Sequence, residues 1–482
     1  MTTNNSSINA KADPLLREIA DYVIDYHIDS DTAYDTAIYC LLDALGCAMA
    51  ALNNKACLQR LGPIVPGAIL PGGVRVPGTG FELDPVRATF NLGCMVRWLD
   101  FNDTWLAKEW GHPSDNLSAI LSCADFVNRT RCNQDRALTM GAVLDYLIKA
   151  YEIQGILALE NSFNRIGMDH VILVRVASSA VASALLGGDK NHIINALSNA
   201  WLDGGALRIY RHAPNTGWRK SWAAGDAAAR GVQHALAAVS GEAGYPTALS
   251  APHWGLEAVF YAGRPLRIPR TLQSYVMENI LFKIASPVEF HAQTAVECAL
   301  SLHKQVSNRL DDIGHIVLAT QESALRIIDK TGPLHNPADR DHCLQYAVAI
   351  ALIFGELNSR HYEDDTAKDP RIDRLRTKMK VVEEPAYSRD YLDPGKRAIG
   401  NRVTIHFNNG ETVQCASDYP LGHPRRRTEA LPLLIDKFRA NLAGRFSGQW
   451  IDDMLQIFTN RECLKQIPVH TFMDYWYKPG VN

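Results

Sequence analysis

Two stretches of small residues constrain this chain most. Val171 to Leu186 is rich in Ala and Ser and stops at Gly187-Gly188, as a helix does at its C-terminus. Ser221 to Val239 is a second Ala-rich helix. Side chains this small let neighbouring helices approach closely, so the pattern predicts a closely packed helical body. Ala142 to Tyr151 extends it, with Ala142, Val143, Tyr146, Leu147 and Ala150 on one helical face. Residues 14 to about 275 therefore read as mainly helical, and Pro/Gly stretches such as Pro63 to Pro85 read as ordered loops.

From about residue 276 the pattern changes. Ile313 to Gln321 has the apolar, β-branched look of a strand. Arg402 to Phe407 alternates, with Val403, Ile405 and Phe407 on one side; Asn409-Gly410 supplies a hairpin turn and Thr412 to Cys415 returns. Helical runs follow Thr294 and Cys343, and after Thr428 the chain is helical again. The expected fold is mainly α, with a large helical domain over residues 1–275, to which 430–482 returns, and a smaller α+β domain over 276–429. A length of 482 residues fits two or three such units.

Charge and composition exclude several partners. The net charge is -3, so there is no basic surplus to hold a nucleic-acid backbone. The longest apolar run, Ala347 to Gly355, is far short of the ~20 residues a membrane span needs. Met1 to Asp13 reads as a loose tail with no apolar signal core and no Arg, which points to the cytoplasm, with a mitochondrial matrix after processing as the alternative. The ten cysteines, Cys132 among them, form no CxxC pair, so clustered metal or Fe–S spacing is absent and reduced thiols are expected. There is also no GxGxxG, phosphate-binding P-loop, HExxH or GxSxG motif.

What remains are clusters of His, Asp, Lys and Arg between helical segments. Trp98 to Trp105 and Glu109 to Asn116 combine carboxylates, indoles and His112; a dry aromatic wall could move their pKa values toward neutrality, and helix capping is the bland alternative. A metal site of Asp100, Asp103 and His112 is a further reading. His170 could cap the helix it precedes or face a pocket. Arg208, Arg211, Arg219, Lys220 and His212 crowd the start of the next helix, a good place for carboxylates. Lys283 to His291 lies at the expected domain join, and Asp339 to Tyr346 forms a fifth cluster. The Arg425-Arg426-Arg427 run reads as a solvated face. Together the clusters point to a polyanionic small molecule and to proton removal next to a carboxylate. Dehydration, decarboxylation and isomerisation all fit.

The same segments resemble the MmgE/PrpD family, most closely its branch of 2-methylcitrate dehydratases. The matching stretches are RWLDFNDTW and EWGHPSDN from Arg97, ALENSFNRIGMDH before the Ala/Ser-rich helix, YRHAPNTGWRKSWAAGDA from Tyr210, SYVMENILFKI from Ser274, PADRDHCLQY from Pro337 and DPGKRAIGN from Asp393. They span nearly the whole chain. The resemblance implies a helical domain built from both chain ends, an α+β lid, a homodimer, and a cleft between domains in which 2-methylcitrate becomes 2-methyl-cis-aconitate. It implies neither cofactor nor metal.

Carried over by motif, the family's site aspartate matches Asp100, its threonine Thr104, its histidines His112, His170 and His291, its lysine Lys220 and its tyrosine Tyr346. Asp100, His112, His170, Lys220 and His291 are expected to be catalytic. Thr104, Arg208, Arg211, Lys283 and Tyr346 are expected to bind substrate. The chain departs from the branch at Gly205, Ala206 and Ile209, where polar residues are usual, and at 285–288, which reads Ala-Ser-Pro-Val. Both departures bear on the choice among methylcitrate, citrate and longer 2-alkylcitrates. The rivals are a cis-aconitate decarboxylase and a non-catalytic tricarboxylate-binding protein.

Overall fold

Three helices cross at glycines, and that crossing organises the larger core. A computed structural model describes residues 11–131, 137–212 and 214–478; Cys132 lies outside them. The helix Arg219–Val239 packs on both Pro85–Arg97 and Val171–Leu185. A Cβ on Gly225 would lie 2.8 Å from the Cys94 N and Phe90 O of the first neighbour. A Cβ on Gly231 would lie 2.9 Å from the Arg175 O of the second. Only glycine allows backbones this close. Both small-residue runs are helices: Val171–Leu185 ends before Gly187, whose φ is 89°, and Arg219–Val239 starts two residues before the predicted run.

Capping explains the start of the third helix. Asp84 accepts hydrogen bonds from the Val86 and Arg87 amides, and Pro85 takes the first turn, where its missing N–H costs nothing. Met140–Glu160 is more than twice the length of the predicted segment. Its extension is buried almost all round, so it shows no single apolar face to read. The Pro63 to Pro85 stretch contains a small ladder, Val74–Arg75 against Glu82–Leu83.

This core draws on residues from Ala12 to Ile284 and again from Ala430 to Trp476, with Phe438, Phe458, Phe472 and Trp476 packed edge to face or tilted. A second core spans Val288 to Phe407. It covers a four-stranded sheet in the order Met379–Glu383, Ile313–Thr320, Asn401–Phe407, Thr412–Ser417. The first pair is parallel and the other two are antiparallel. Val403, Ile405 and Phe407 face the helix Gln293–Val306, and Gly410 turns the hairpin at φ 89°. The strand Met379–Glu383 was not foreseen. It is a half-exposed edge carrying Lys380 and Glu383, so it lacks alternation. The fold is mainly α. Among the described residues no helix is long and apolar enough to cross a membrane.

Candidate functional site

The crossing helices bring their ends to one place. Pro85–Arg97 carries Arg97 in its last turn, and Asp100 follows in the loop. Asp100 takes a left-handed backbone, φ 49°, which Asp tolerates better than most residues. Val171–Leu185 begins at His170, whose side chain caps no backbone group, so the ring is free to face inward. Arg219–Val239 carries Lys220 in its first turn. A hairpin of Trp105–Leu106 with Trp110–Gly111 sets Thr104 and His112 beside them.

Asp100 is the electrostatic centre. Arg97 Nη1 donates to Oδ1 at 2.6 Å, and Lys283 Nζ donates at 2.6 Å both to that oxygen and to the Asp100 carbonyl. His112 Nε2 lies 3.7 Å from Oδ1 and His342 Nδ1 3.9 Å from Oδ2. Burial by itself disfavours the Asp100 charge. Arg97 and Lys283, with the two histidines behind them, outweigh it and hold the carboxyl well below the usual range.

His112 and His170 are kept neutral, chiefly by burial and then by neighbouring arginines, against the pull of Asp100 and Asp169. His112 Nδ1 donates to the Asp103 carbonyl at 2.6 Å; a carbonyl only accepts, so Nε2 is left as an acceptor. His170 makes no hydrogen bond through either nitrogen, although Nδ1 is 3.3 Å from Asp169 Oδ1. The two rings are 6.0 Å apart.

The basic loop is anchored by Asp169. Arg211 donates to it through Nε at 2.5 Å and Nη2 at 3.1 Å. Arg208 Nη1 is 3.5 Å from Asp169 without a hydrogen bond, and its guanidinium lies 5.1 Å over the Trp110 ring. Across the site, Lys220 Nζ donates to the Asp341 oxygens at 2.6 and 2.5 Å. Burial lowers the Lys220 pKa, and Asp341 opposes the shift.

Asp100, Thr104, His112, His170, Arg208, Arg211 and Lys283 thus line one cavity, together with Arg97, Trp110, Glu289, Phe290 and His342. Its volume is about 20 Å³, room for one water. Lys220 stands behind this wall, joined to it through Asp341 and His342. His291 is fully buried outside the cavity, where Nδ1 is 2.8 Å from Glu289 Oε1, Nε2 is 3.2 Å from the Tyr391 hydroxyl, and Trp110 packs edge-on. Tyr346 lies apart in the second core and donates to the His361 carbonyl at 2.7 Å. Of the two departures, Ile209 is 56% exposed, while Ala285 and Pro287 border a separate groove of about 870 Å³ with Trp98, Trp218 and Lys220.

Two sets of donors bear on metal binding. The Asp103 carboxylate accepts from Ser114 Oγ at 2.7 Å and from the Tyr151 hydroxyl, while His112 bonds to the Asp103 carbonyl, so Asp100, Asp103 and His112 do not converge their ligand atoms. Asp100, Asp341 and His342 do bring one donor each within 4.8 Å. Their charge is already balanced by Arg97 and Lys283 on Asp100 and by Lys220 on Asp341. In the sequence Glu289 and His342 fall within the clusters at 283–291 and 339–346 without a role of their own, and Arg97 opens the first matching stretch. The available signals were the three-residue spacing from Arg97 to Asp100 and the adjacency of His342 to Asp341.

Residues 17–269 match the MmgE/PrpD N-terminal domain and residues 286–457 the MmgE/PrpD C-terminal domain. The chain is 54% identical over 481 residues to a 2-methylcitrate dehydratase of Escherichia coli K12, covering 99% of this chain and 100% of that protein. A 2-methylcitrate dehydratase of Cupriavidus necator is 53% identical, with 98% and 99% covered. A mitochondrial 2-methylcitrate dehydratase of Yarrowia lipolytica is 48% identical, with 99% and 92% covered.

Proposed function

The chain belongs to the MmgE/PrpD family, and on that premise we propose that it is a hydro-lyase that dehydrates 2-methylcitrate to 2-methyl-cis-aconitate in propionate breakdown. One observation supports the chemistry best: cations and neutral histidines line the same buried cavity. Arg208, whose Nη1 makes no hydrogen bond, and Lys283 face the carboxylates, and Arg211 and Lys220 hold the flanking walls. Charge that develops on a carboxylate during proton removal is stabilised by such fixed cations.

Asp100, His112 and His170 share the proton work. A tricarboxylate entering this site raises the pKa of the histidines, so one of them becomes able to protonate the leaving hydroxyl. Lys220 and His291 support the site from behind its wall, and Thr104 orients His112 from 3.2 Å. A cavity of this size admits substrate only when the second core, acting as a lid, swings away from the first. The protein works as a homodimer in the cytoplasm, which light scattering and fractionation test.

The deciding experiment adds 2-methylcitrate to chelator-treated protein and follows the ultraviolet absorbance of a conjugated tricarboxylate. A rise supports the reading, and citrate run in parallel ranks the substrates. Release of carbon dioxide from cis-aconitate, with no dehydration of 2-methylcitrate, would make the protein a decarboxylase. Binding without turnover would make it a tricarboxylate-binding protein.

A further inference from the structure

The dehydratase reading leaves one cavity histidine without a task. His342, in the chain segment that builds the second core, lines the cavity with His112 and His170 and lies 3.9 Å from Asp100 Oδ2. We propose that His342, oriented by Asp341, is the general base that removes the methine proton of the tricarboxylate; this rests on the dehydratase reading.

The hydrogen bonds carry the argument. His342 Nδ1 is 2.7 Å from Asp341 Oδ1, and Lys220 fixes both oxygens of that carboxylate. Lys220 Nζ also lies 3.1 Å from Nδ1, but its protons go to the two Asp341 oxygens, and an unprotonated Nδ1 would set two lone pairs 2.7 Å apart, so the Nδ1 proton points at Asp341. Nε2 is then the lone pair, and it engages no hydrogen bond among the described residues. A buried carboxylate behind an imidazole holds the tautomer and steadies the imidazolium as it forms. His112 has only a carbonyl in that position, and the carboxylate nearest His170 is taken by Arg211. The charged groups facing His342 are Lys220 on the helix Arg219–Val239, Asp100 in the loop after Pro85–Arg97, Glu289 before the helix Gln293–Val306, and Asp341 itself. Burial and Lys220 push the ring down to about 4, so it is unprotonated in the resting site.

In the step, Nε2 takes the methine proton, the C–H electron pair becomes the C=C bond, and the C–O bond breaks. The oxygen leaves as water with a proton from His112 or His170. The proton gained by His342 equals the one lost by that acid, and exchange with solvent restores both.

The test compares full-length wild type with His342→Gln and His342→Ala on 2-methylcitrate. His342→Gln should lose about 10²- to 10⁴-fold in kcat while 2-methylcitrate still raises its Tm, and the ascending limb of the pH–kcat/KM profile should vanish. Added imidazole should restore part of the rate of His342→Ala. A His342→Gln kcat within about threefold of wild type overturns the assignment, since a general base contributes far more. So does a change confined to KM, or a folded His342→Ala that imidazole does not help. Wild type that binds 2-methylcitrate without dehydrating it overturns the underlying reading, and the base assignment with it.

Discussion

Gly93 and Gly225 meet face to face where two helices cross: a Cβ on Gly93 would fall 2.6 Å from the Gly225 Cα. The crossing fixes how far Asp100, after one helix, stands from Lys220, at the start of the other. In Gly225→Ala the new methyl meets backbone atoms, Cys94 N and Phe90 O, which cannot rotate away. The helices must separate, at a cost of about 1–3 kcal/mol. Urea unfolding should show the loss, and kcat/KM should fall as the site ends part. An unchanged midpoint would mean that the crossing has slack.

His170 presents two ring nitrogens without hydrogen bonds to a closed cavity. A structural histidine at a helix start would be bonded to something. His170→Gln should therefore keep the fold and lower kcat by about 10² to 10⁴. Steady-state kinetics beside thermal unfolding separates this from a packing role, which would move Tm and leave kcat.

The small-residue runs made the helical body legible, because tight helix packing needs Ala, Ser and Gly along the contact. The strand Met379–Glu383 was not legible, since an edge strand open to solvent has no alternation to read. Within the site, clustered charge marked Asp100, His112, His170, Arg208 and Arg211, and the structure brings these to one cavity, with Lys220 behind its wall. Tyr346 matches a family position, and its hydroxyl bonds to the His361 carbonyl inside the second core rather than lining that cavity. His342 sits in a charged cluster whose place beside Asp100 comes from folding across a long stretch of chain, and Arg97, three residues before Asp100, reads locally as an ordinary cation in the last turn of a helix.

Asp100→Asn should destabilise the protein more than the loss of one hydrogen bond would. Arg97 and Lys283 are buried and share Asp100 as counterion. Removing one partner of a buried ion cluster typically costs about 3–5 kcal/mol, because the remaining charges stay unpaired. A bound tricarboxylate would supply negative charge to the same cavity. The Tm rise on adding 2-methylcitrate should then be larger for Asp100→Asn than for wild type. An equal rise would place the substrate carboxylates away from Arg97 and Lys283.

Glu109 provides a pH test independent of turnover. It is fully buried; Oε2 accepts from the Asn164 amide at 2.7 Å and side chain at 2.8 Å, and Oε1 has no partner. Burial raises its pKa from 4.5 to about 7, against the pull of Arg208 and the Asn164 bonds. Because the folded value is the higher one, the contribution to stability is fully present below pH 4.5 and is lost as pH rises through about 7. Glu109→Gln keeps an oxygen for Asn164 and cannot ionise. The variant should match wild type at acidic pH and become the more stable of the two above pH 7. Thermal unfolding across pH reads the difference directly. A gap that closes as pH rises would mean that Arg208 outweighs burial and that Glu109 is ionised in the resting site.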